Sequence, residues 1–154
     1  MLTEICNYLK NWFDRKPNGE DFPKYEGKFQ ISGCDIVTEV GQVVEIQQEQ
    51  YFRIIGSVFN DGVHKYPDVL KDELFEGEVW LMGVPVDVQE IASEVAEWQT
   101  KFGATDSVAM SPFSSESFGG YSYSKGSGRA GSNQTVSVTW IDVFSARLAR
   151  YKKI

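Results

Sequence analysis

The stretch GEVWLMGVPVDVQEIASEVAEWQTKFG, residues 77–103, passes from an extended pattern to a helical one. Its first part, Glu78–Gly83, is typical of a strand, and Pro85 stands where a helix can begin, since the first helical position needs no N–H donor. Apolar residues then recur at helical spacing up to Gly103, which is placed to end the helix. These residues are Val88, Ile91, Ala92, Val95, Trp98 and Phe102. We therefore predict a helix over residues 85–102 in an α+β fold.

Short β-type runs lie upstream of this stretch, separated by Asn, Asp and Gly residues that tolerate the positive φ of tight turns. The runs are Lys28–Ile31, Val43–Ile46 and Tyr51–Gly56, and the turns fall at Ser32–Gly33, Gly41 and Asn60–Gly62. This alternation predicts a small antiparallel sheet within a β-rich segment over residues 25–83.

A first helix is predicted over residues 1–15, because apolar residues follow helical spacing before Pro17-Asn18-Gly19. They are Leu2, Ile5, Cys6, Leu9, Trp12 and Phe13. No run approaches the roughly 18 to 20 apolar residues of a membrane span, so we expect no membrane association.

Residues 103–134 hold nine Ser and six Gly, a composition that predicts a flexible loop. Its aromatic residues suggest that the loop docks on a partner. A C-terminal helix follows over residues 135–154 and ends in a cluster of cations. The prediction is thus one domain, a bundle of N-terminal, central and C-terminal helices with an inserted small antiparallel sheet and a long Ser/Gly-rich loop.

The charge is acidic and uneven along the chain. Fifteen Lys and Arg against 22 Asp and Glu give −7; residues 1–102 carry 9 − 19 = −10, and residues 103–154 carry 6 − 3 = +3. Binding to duplex DNA by general phosphate neutralisation is therefore disfavoured. Cys6 and Cys34 lack CxxC spacing and His64 is the only histidine, so we predict neither a disulfide framework nor a zinc site.

Three further patterns have an ordinary interpretation beside a functional one. The GxGxxG spacing of Gly126–Gly131 lacks the preceding strand of a nucleotide site, so chance spacing is favoured. For His64, a packed or surface histidine is favoured over a general base, since no nucleophile elbow accompanies it. The stripe Glu90, Glu94 and Glu97 is read as a solvated face, with a basic partner, a divalent cation or paired catalytic carboxylates as alternatives. With no catalytic constellation, we predict no enzyme activity, cofactor or metal.

Four segments together resemble the head–tail connector (neck adaptor) proteins of tailed bacteriophages and prophages of Gram-positive bacteria. They are MLTEICNYLKNWF at residues 1–13, QYFRIIGSVFNDGV at 50–63, the helix that follows Val84-Pro85, and SSESFGGYSYS at 114–124. The stretch SESFGGYSYS is the most specific, since it resembles the "SE-hydrophobic-G-x-YS" segment of such connectors. The β-rich stretch between the first two helices departs from the simplest members.

The resemblance implies a structural virion protein of the neck, assembled in the host cytoplasm. Twelve identical subunits would form a ring beneath the portal protein and offer the tail, or a stopper protein, a surface to attach to. DNA would pass through the channel without sequence-specific binding. The resemblance assigns portal contact to the C-terminal segment, residues 140–154, and we expect the loop aromatics to act as anchors. The predicted partner-binding residues are Phe113, Phe118, Tyr121, Tyr123, Trp140, Phe144, Arg147, Arg150, Tyr151, Lys152 and Lys153.

Two alternatives stay open at this point. One is a tail-completion or tail-terminator protein that caps the tail tube. The other is a small ligand-binding or enzymatic α+β domain that uses His64, Asp61 and the Glu90 face of the central helix. The C-terminal cations complement the helix dipole, and they could also meet an acidic neighbour such as another copy of the chain.

Overall fold

The structure, a computed structural model, describes residues 1–102, 115–118, 121–124 and 138–153. It is an α+β fold with three α-helices and a five-stranded antiparallel sheet, which confirms the predicted class. In chain order the elements are α1 (Leu2–Leu9), β1 (Lys24–Ser32), β2 (Asp35–Thr38), β3 (Tyr51–Ile55), β4 (Gly62–Lys65), β5 (Glu73–Met82), α2 (Val86–Phe102), β6 (Ser115–Phe118), β7 (Tyr121–Ser124) and α3 (Trp140–Leu148), with a 3₁₀ turn over Ala149–Tyr151.

The chain divides into two compact units. The sheet unit is Asn11–Pro85, and the helical unit combines Thr3–Lys10 with Val86–Ile154. The prediction of a single domain over residues 1–154 stays a prediction.

The five strands of the sheet unit lie in the order β2-β1-β5-β3-β4. One face of the sheet is apolar because its residues alternate with exposed residues along β1 and with half-buried residues along β3, as the period of two requires. The core of this unit consists of Phe29, Ile31, Ile36, Val44, Phe52, Ile54, Leu70, Phe75, Val79 and Leu81. At the end of β3 two glycines permit a close backbone approach, since a Cβ on Gly77 would lie 1.9 Å from the carbonyl oxygen of Ile55, and Gly56 has φ +91°.

Each helix of the helical unit buries one apolar face. The buried side chains are Ile5, Cys6 and Leu9 on α1, Val88, Ile91, Ala92, Val95, Trp98 and Phe102 on α2, and Val143, Phe144 and Leu148 on α3. The backbone N–H of Lys153 donates to the carbonyl oxygen of Leu9 at 2.9 Å and fixes the end of the chain beside the end of α1.

The central helix and the β-rich segment are confirmed, since α2 spans Val86–Phe102 and the five strands all fall between Lys24 and Met82. The first helix is shorter than predicted. It ends at Leu9 because Lys10 adopts a left-handed φ of 51° and its N–H bonds back to the carbonyl oxygen of Asn7. The expected extension to residue 15 was therefore wrong.

Two further boundaries differ from the prediction. The predicted strand Val43–Ile46 is not formed, because Val43 makes only an isolated bridge to Val37. The edge strand on this side of the sheet is β2. The C-terminal helix begins at Trp140 rather than 135, because the Asp142 carboxylate accepts a 2.7 Å hydrogen bond from the Thr139 N–H just before it, and the regular helix ends at Leu148.

The predicted loop over residues 103–134 lies outside the described residues except for β6 and β7. These two strands pair antiparallel in a sheet of their own, with Phe118 opposite Tyr121 and Glu116 opposite Tyr123. Sequence reasoning did not predict this strand pair.

Candidate partner-binding site

A bidentate ion pair joins the cationic C-terminal segment to the acidic face of α2. The Arg147 guanidinium donates to both oxygens of the Glu94 carboxylate, at 2.5 and 3.0 Å. The two side chains are 33% and 26% exposed, so water screens this pair only in part. The hydrogen bond to Glu94 raises the pKa of Arg147 above its ordinary value, so this cation stays charged.

A second set of bonds lies one turn further along. Arg150 forms an ion pair with Asp87, and the Tyr151 hydroxyl donates to the same carboxylate at 3.1 Å. Both charged side chains are more than half exposed, so solvent weakens this pair. An open groove of about 340 Å³ lies between the two helices, and Glu90 is among the residues that line it.

These contacts answer the question that the sequence left open about the two charged clusters. The sequence predicts that the acidic stripe is a solvated face and that the C-terminal cations complement the helix dipole or contact another chain. In the structure Glu94 and Asp87 meet Arg147 and Arg150 of the same chain. The opposite signs of the two clusters were visible in the sequence, but no local pattern linked residues more than fifty positions apart.

The remaining predicted contact residues of the C-terminal segment are exposed to different degrees. Lys152 and Lys153 are exposed, and the Lys152 ammonium lies 5.0 Å from the centre of the Tyr8 ring. Trp140 is half-buried, edge-on to Tyr8 with 5.6 Å between ring centres. Phe144 is 0% exposed, so in this fold its ring belongs to the chain's own core.

The predicted loop anchors fall in and around the strand pair. Phe118 ends β6, Tyr121 and Tyr123 lie on β7, and Phe113 lies outside the described residues. Strand β7 runs beside α3 within the helical unit. The motif that carries the resemblance therefore neighbours α3.

His64 is a packed histidine, as the favoured interpretation expected. It is half-buried on β4, its Nε2 lies 2.5 Å from the Asn60 carbonyl oxygen, and its ring lies 5.6 Å from that of Phe52. Asp61 accepts a 2.9 Å hydrogen bond from the Gly56 N–H. Both groups are thus engaged within the hairpin of β3 and β4.

Other sequence patterns have simple outcomes. Cys6 is buried and Cys34 is half-buried, and no disulfide joins them. The glycine motif Gly126–Gly131 lies outside the described residues. In the part of the chain that the structure describes, no three His, Cys, Asp or Glu side chains are grouped to hold a metal ion, and no helix has the length and apolar character needed to cross a membrane.

Sequence reasoning missed one well-built feature, the loop between β3 and β4. The Glu73 carboxylate accepts hydrogen bonds from the Ser57 hydroxyl and, at 2.8 Å, from the Val58 N–H. The Asn60 side chain donates to the Lys71 carbonyl oxygen at 2.8 Å and accepts from the Lys71 N–H at 2.9 Å. The only signal was the pairing of Ser and Asn with adjacent apolar residues in SVFN, which by itself is typical of many turns.

Comparison with known proteins finds no matching family model, no matching curated protein and no matching solved structure. A functional assignment must therefore be argued from the residues themselves.

Proposed function

We propose that the chain is a structural virion protein, a head–tail connector that forms a ring of identical subunits beneath the portal. It joins the DNA-filled capsid to the tail or to a stopper protein and catalyses no reaction. With the portal's symmetry, the ring has twelve subunits. The three helices form its bundle core, and residues 103–134 form a docking loop around the strand pair.

One observation carries this proposal: β7, within the connector-like motif, lies beside α3. The two segments assigned to partner contact are therefore neighbours. A lone two-stranded hairpin is marginally stable in water. A strand pair in such a Ser- and Gly-rich segment gains stability when a partner covers it, as an assembly element should.

The ion pairs of α2 and α3 narrow the set of residues that we propose for portal contact. Arg147 and Arg150 are already engaged on α2, and Phe144 is buried. We assign portal contact to the exposed cations Lys152 and Lys153 and to the loop aromatics. Charge also supports a channel role, since residues 1–102 carry −10 and acidic walls do not retain sliding DNA.

The test is co-sedimentation of the purified protein with portal-containing heads that lack this protein. We expect the intact chain to co-sediment, and Tyr121→Ala with Tyr123→Ala to reduce binding at least about tenfold, as truncated interface anchors do. Ser122→Ala, between the two tyrosines, is the matched control and should bind normally.

Failure of the intact chain to co-sediment with heads overturns the proposal. Cryo-microscopy that places the subunit on isolated tails lacking heads would instead support the tail-completion role. Catalytic turnover of a small molecule by the purified protein would also contradict the proposed connector role.

A further inference from the structure

Ion pairs are distributed unevenly among the cations of this chain, in which carboxylates outnumber Lys and Arg. The cations that form ion pairs are Arg15, Lys16, Lys24, Lys28, Lys65, Arg147 and Arg150. Within residues 1–102 and 138–153, no ion pair is formed by Lys10, Lys71, Lys101, Lys152 and Lys153. Three of these five lysines lie together, at the end of α1.

Contacts between α1 and the C-terminal segment bring the three lysines together. The N–H of Lys153 donates to the carbonyl oxygen of Leu9 at 2.9 Å, so its backbone lies next to the peptide bond between Leu9 and Lys10. The Lys152 ammonium lies 5.0 Å from the centre of the Tyr8 ring. All three lysines are exposed. We call Lys10, Lys152 and Lys153, together with Tyr8, the lysine patch.

The lysine patch is held in place by bonds that leave its charges available. The backbone N–H of Lys10 closes the end of α1, and that of Lys152 donates to the carbonyl oxygen of Ala149 at 3.2 Å. Tyr8 packs edge-on against Trp140, with 5.6 Å between ring centres. Cations on a backbone that is already fixed lose less conformational entropy on binding, which favours their use as a contact.

The carboxylates of the same elements leave an excess of positive charge at the patch. Glu4 lies one turn before Tyr8 on α1 and about 9 Å along the helix axis from Lys10. Asp142 is held at the start of α3 by hydrogen bonds from Thr139. The two ion pairs with α2 add no net charge. Counted with Glu4 and Asp142, the patch carries 3 − 2 = +1, whereas residues 11–85 carry 7 − 14 = −7.

We infer that the lysine patch binds an acidic protein segment, with the ammonium groups of Lys10, Lys152 and Lys153 meeting its carboxylates. A lysine ammonium is a compact point charge, so it attracts a carboxylate without requiring the matched planar geometry that an arginine uses. In the assembled neck this segment belongs to the portal. Only this last step rests on the proposed function.

Nucleic acid is the other polyanion that lysines attract, and two observations disfavour it. The affinity for a nucleic acid grows with the number of phosphates neutralised, and a chain of net charge −7 repels a long polyanion. Binding of single strands also uses open aromatic faces on which bases stack. The Lys152 ammonium lies over the Tyr8 ring, and Trp140 meets this ring edge-on.

A peptide titration tests the chemistry without any phage component. The ¹⁵N-labelled full chain is titrated with N-acetylated hexaglutamate to about 10 mM, and the amide shifts are followed by NMR. The shifts should be largest at residues 8–10 and 152–153, and they should shrink when added salt screens these exposed charges. Hexaglutamine, an uncharged peptide of equal length, should shift neither segment. Absence of shifts at these segments, or equal shifts with hexaglutamine, overturns the inference.

The same titration with hexathymidylate tests the nucleic-acid alternative. We expect this oligonucleotide to bind the lysine patch less tightly than hexaglutamate does. Tighter binding of hexathymidylate at residues 8–10 and 152–153 overturns the inference in favour of a nucleic-acid partner.

Charge reversal locates the binding surface. Lys152→Glu and Lys153→Glu should each weaken hexaglutamate binding at least about fivefold, since each turns an attraction into a repulsion. Both positions are exposed, so the amide spectrum outside the patch should stay unchanged. The matched control is Lys101→Glu, at an exposed lysine without an ion pair at the end of α2, and it should bind normally. Equal effects of the three reversals contradict the inference, because binding would then depend on net charge alone.

The portal step is tested by co-sedimentation with heads. The double variant Lys152→Glu with Lys153→Glu should bind heads at least about tenfold less tightly than the intact chain, and Lys101→Glu should bind normally. If the intact chain co-sediments while hexaglutamate does not bind the patch, this inference fails and the connector role stands. If hexaglutamate binds the patch while the intact chain does not co-sediment, the connector role fails alone.

Discussion

Among single residues, Arg53 of β3 lies between two tryptophan rings. Its guanidinium carbon is 3.4 Å from the centre of the Trp12 ring and 5.0 Å from that of Trp80. A planar cation stacks on aromatic faces with a stabilisation of about 0.5–2 kcal/mol, depending on solvent exposure. This stack holds the segment that follows α1 on the sheet.

We expect Arg53→Ala to lower the free energy of unfolding by about 1–2 kcal/mol, and Arg53→Lys to lower it by less, since lysine keeps the charge without the planar stack. Urea denaturation followed by tryptophan fluorescence measures both. Arg15→Ala is the control, because its ion pair with Asp21 is largely exposed and should contribute less than about 0.5 kcal/mol. Equal, negligible effects of all three substitutions would show that the stack does not stabilise the unit.

The carboxylate of Glu73 should make the stability of the sheet unit depend on pH. The hydrogen bond donated by the Ser57 hydroxyl is the main reason that the pKa of Glu73 lies below its ordinary value of 4.5. A carboxyl group with a lowered folded-state pKa stabilises the fold above its unfolded pKa, and this stabilisation is lost as the pH falls through the folded value.

Glu73→Gln should therefore lower the melting temperature at neutral pH, and the difference from the unaltered chain should shrink as the pH falls below 4.5. Calorimetry over a pH series measures the difference. The control is Glu76→Gln, which removes an exposed carboxylate of the same strand and should change the melting temperature little at neutral pH. A Glu73→Gln difference that stays constant with pH would contradict the linkage.

At the scale of elements, the two ion pairs between α2 and the C-terminal segment should differ in strength. The Arg147–Glu94 pair is two-pronged and about a third exposed, whereas Arg150–Asp87 is mostly exposed. Double-mutant cycles with alanine should give a coupling of about 1 kcal/mol for the first pair and less than about 0.5 kcal/mol for the second. A larger coupling for Arg150–Asp87 than for Arg147–Glu94 would show that solvent exposure does not determine the relative strength of the two pairs.

Element type was predictable where the pattern is long and local. The apolar period of α2 and the alternation of β1 and β3 needed no tertiary information. The end of α1 was not predictable, because Trp12 and Phe13 continue the helical stripe although Lys10 has already turned left-handed. That ending is decided by backbone conformation rather than by hydrophobic spacing.

The candidate site was predictable only in its parts. Both charged clusters were visible in the sequence, but the pairing of Glu94 with Arg147 joins positions 53 residues apart. The burial of Phe144 on α3 is likewise a tertiary outcome, since helical spacing assigns a residue to a face and does not say what covers that face. The hydrogen bonds between Glu73 and the β3–β4 loop also depend on tertiary structure, which the local sequence pattern does not give.

The division of the whole molecule into two units makes a prediction about folding. The sheet unit is continuous from Asn11 to Pro85 and contains its own apolar core. The helical unit is discontinuous, because α1 comes from the N-terminal segment while α2 and α3 follow the sheet. A continuous segment with its own core can fold alone, whereas a unit missing one of its helices leaves apolar faces uncovered.

We therefore expect a fragment of residues 11–85 to give a dispersed amide spectrum and cooperative unfolding by itself. A fragment of residues 86–154 should be poorly ordered, because it lacks the fully buried Ile5, Cys6 and Leu9 of α1, and addition of a peptide of residues 1–10 should increase its helical circular dichroism. A disordered 11–85 fragment would show that the sheet depends on the helices for its stability. A well-folded 86–154 fragment would show that α1 is dispensable, and the apolar face of α1 would then need another explanation than packing within its own unit.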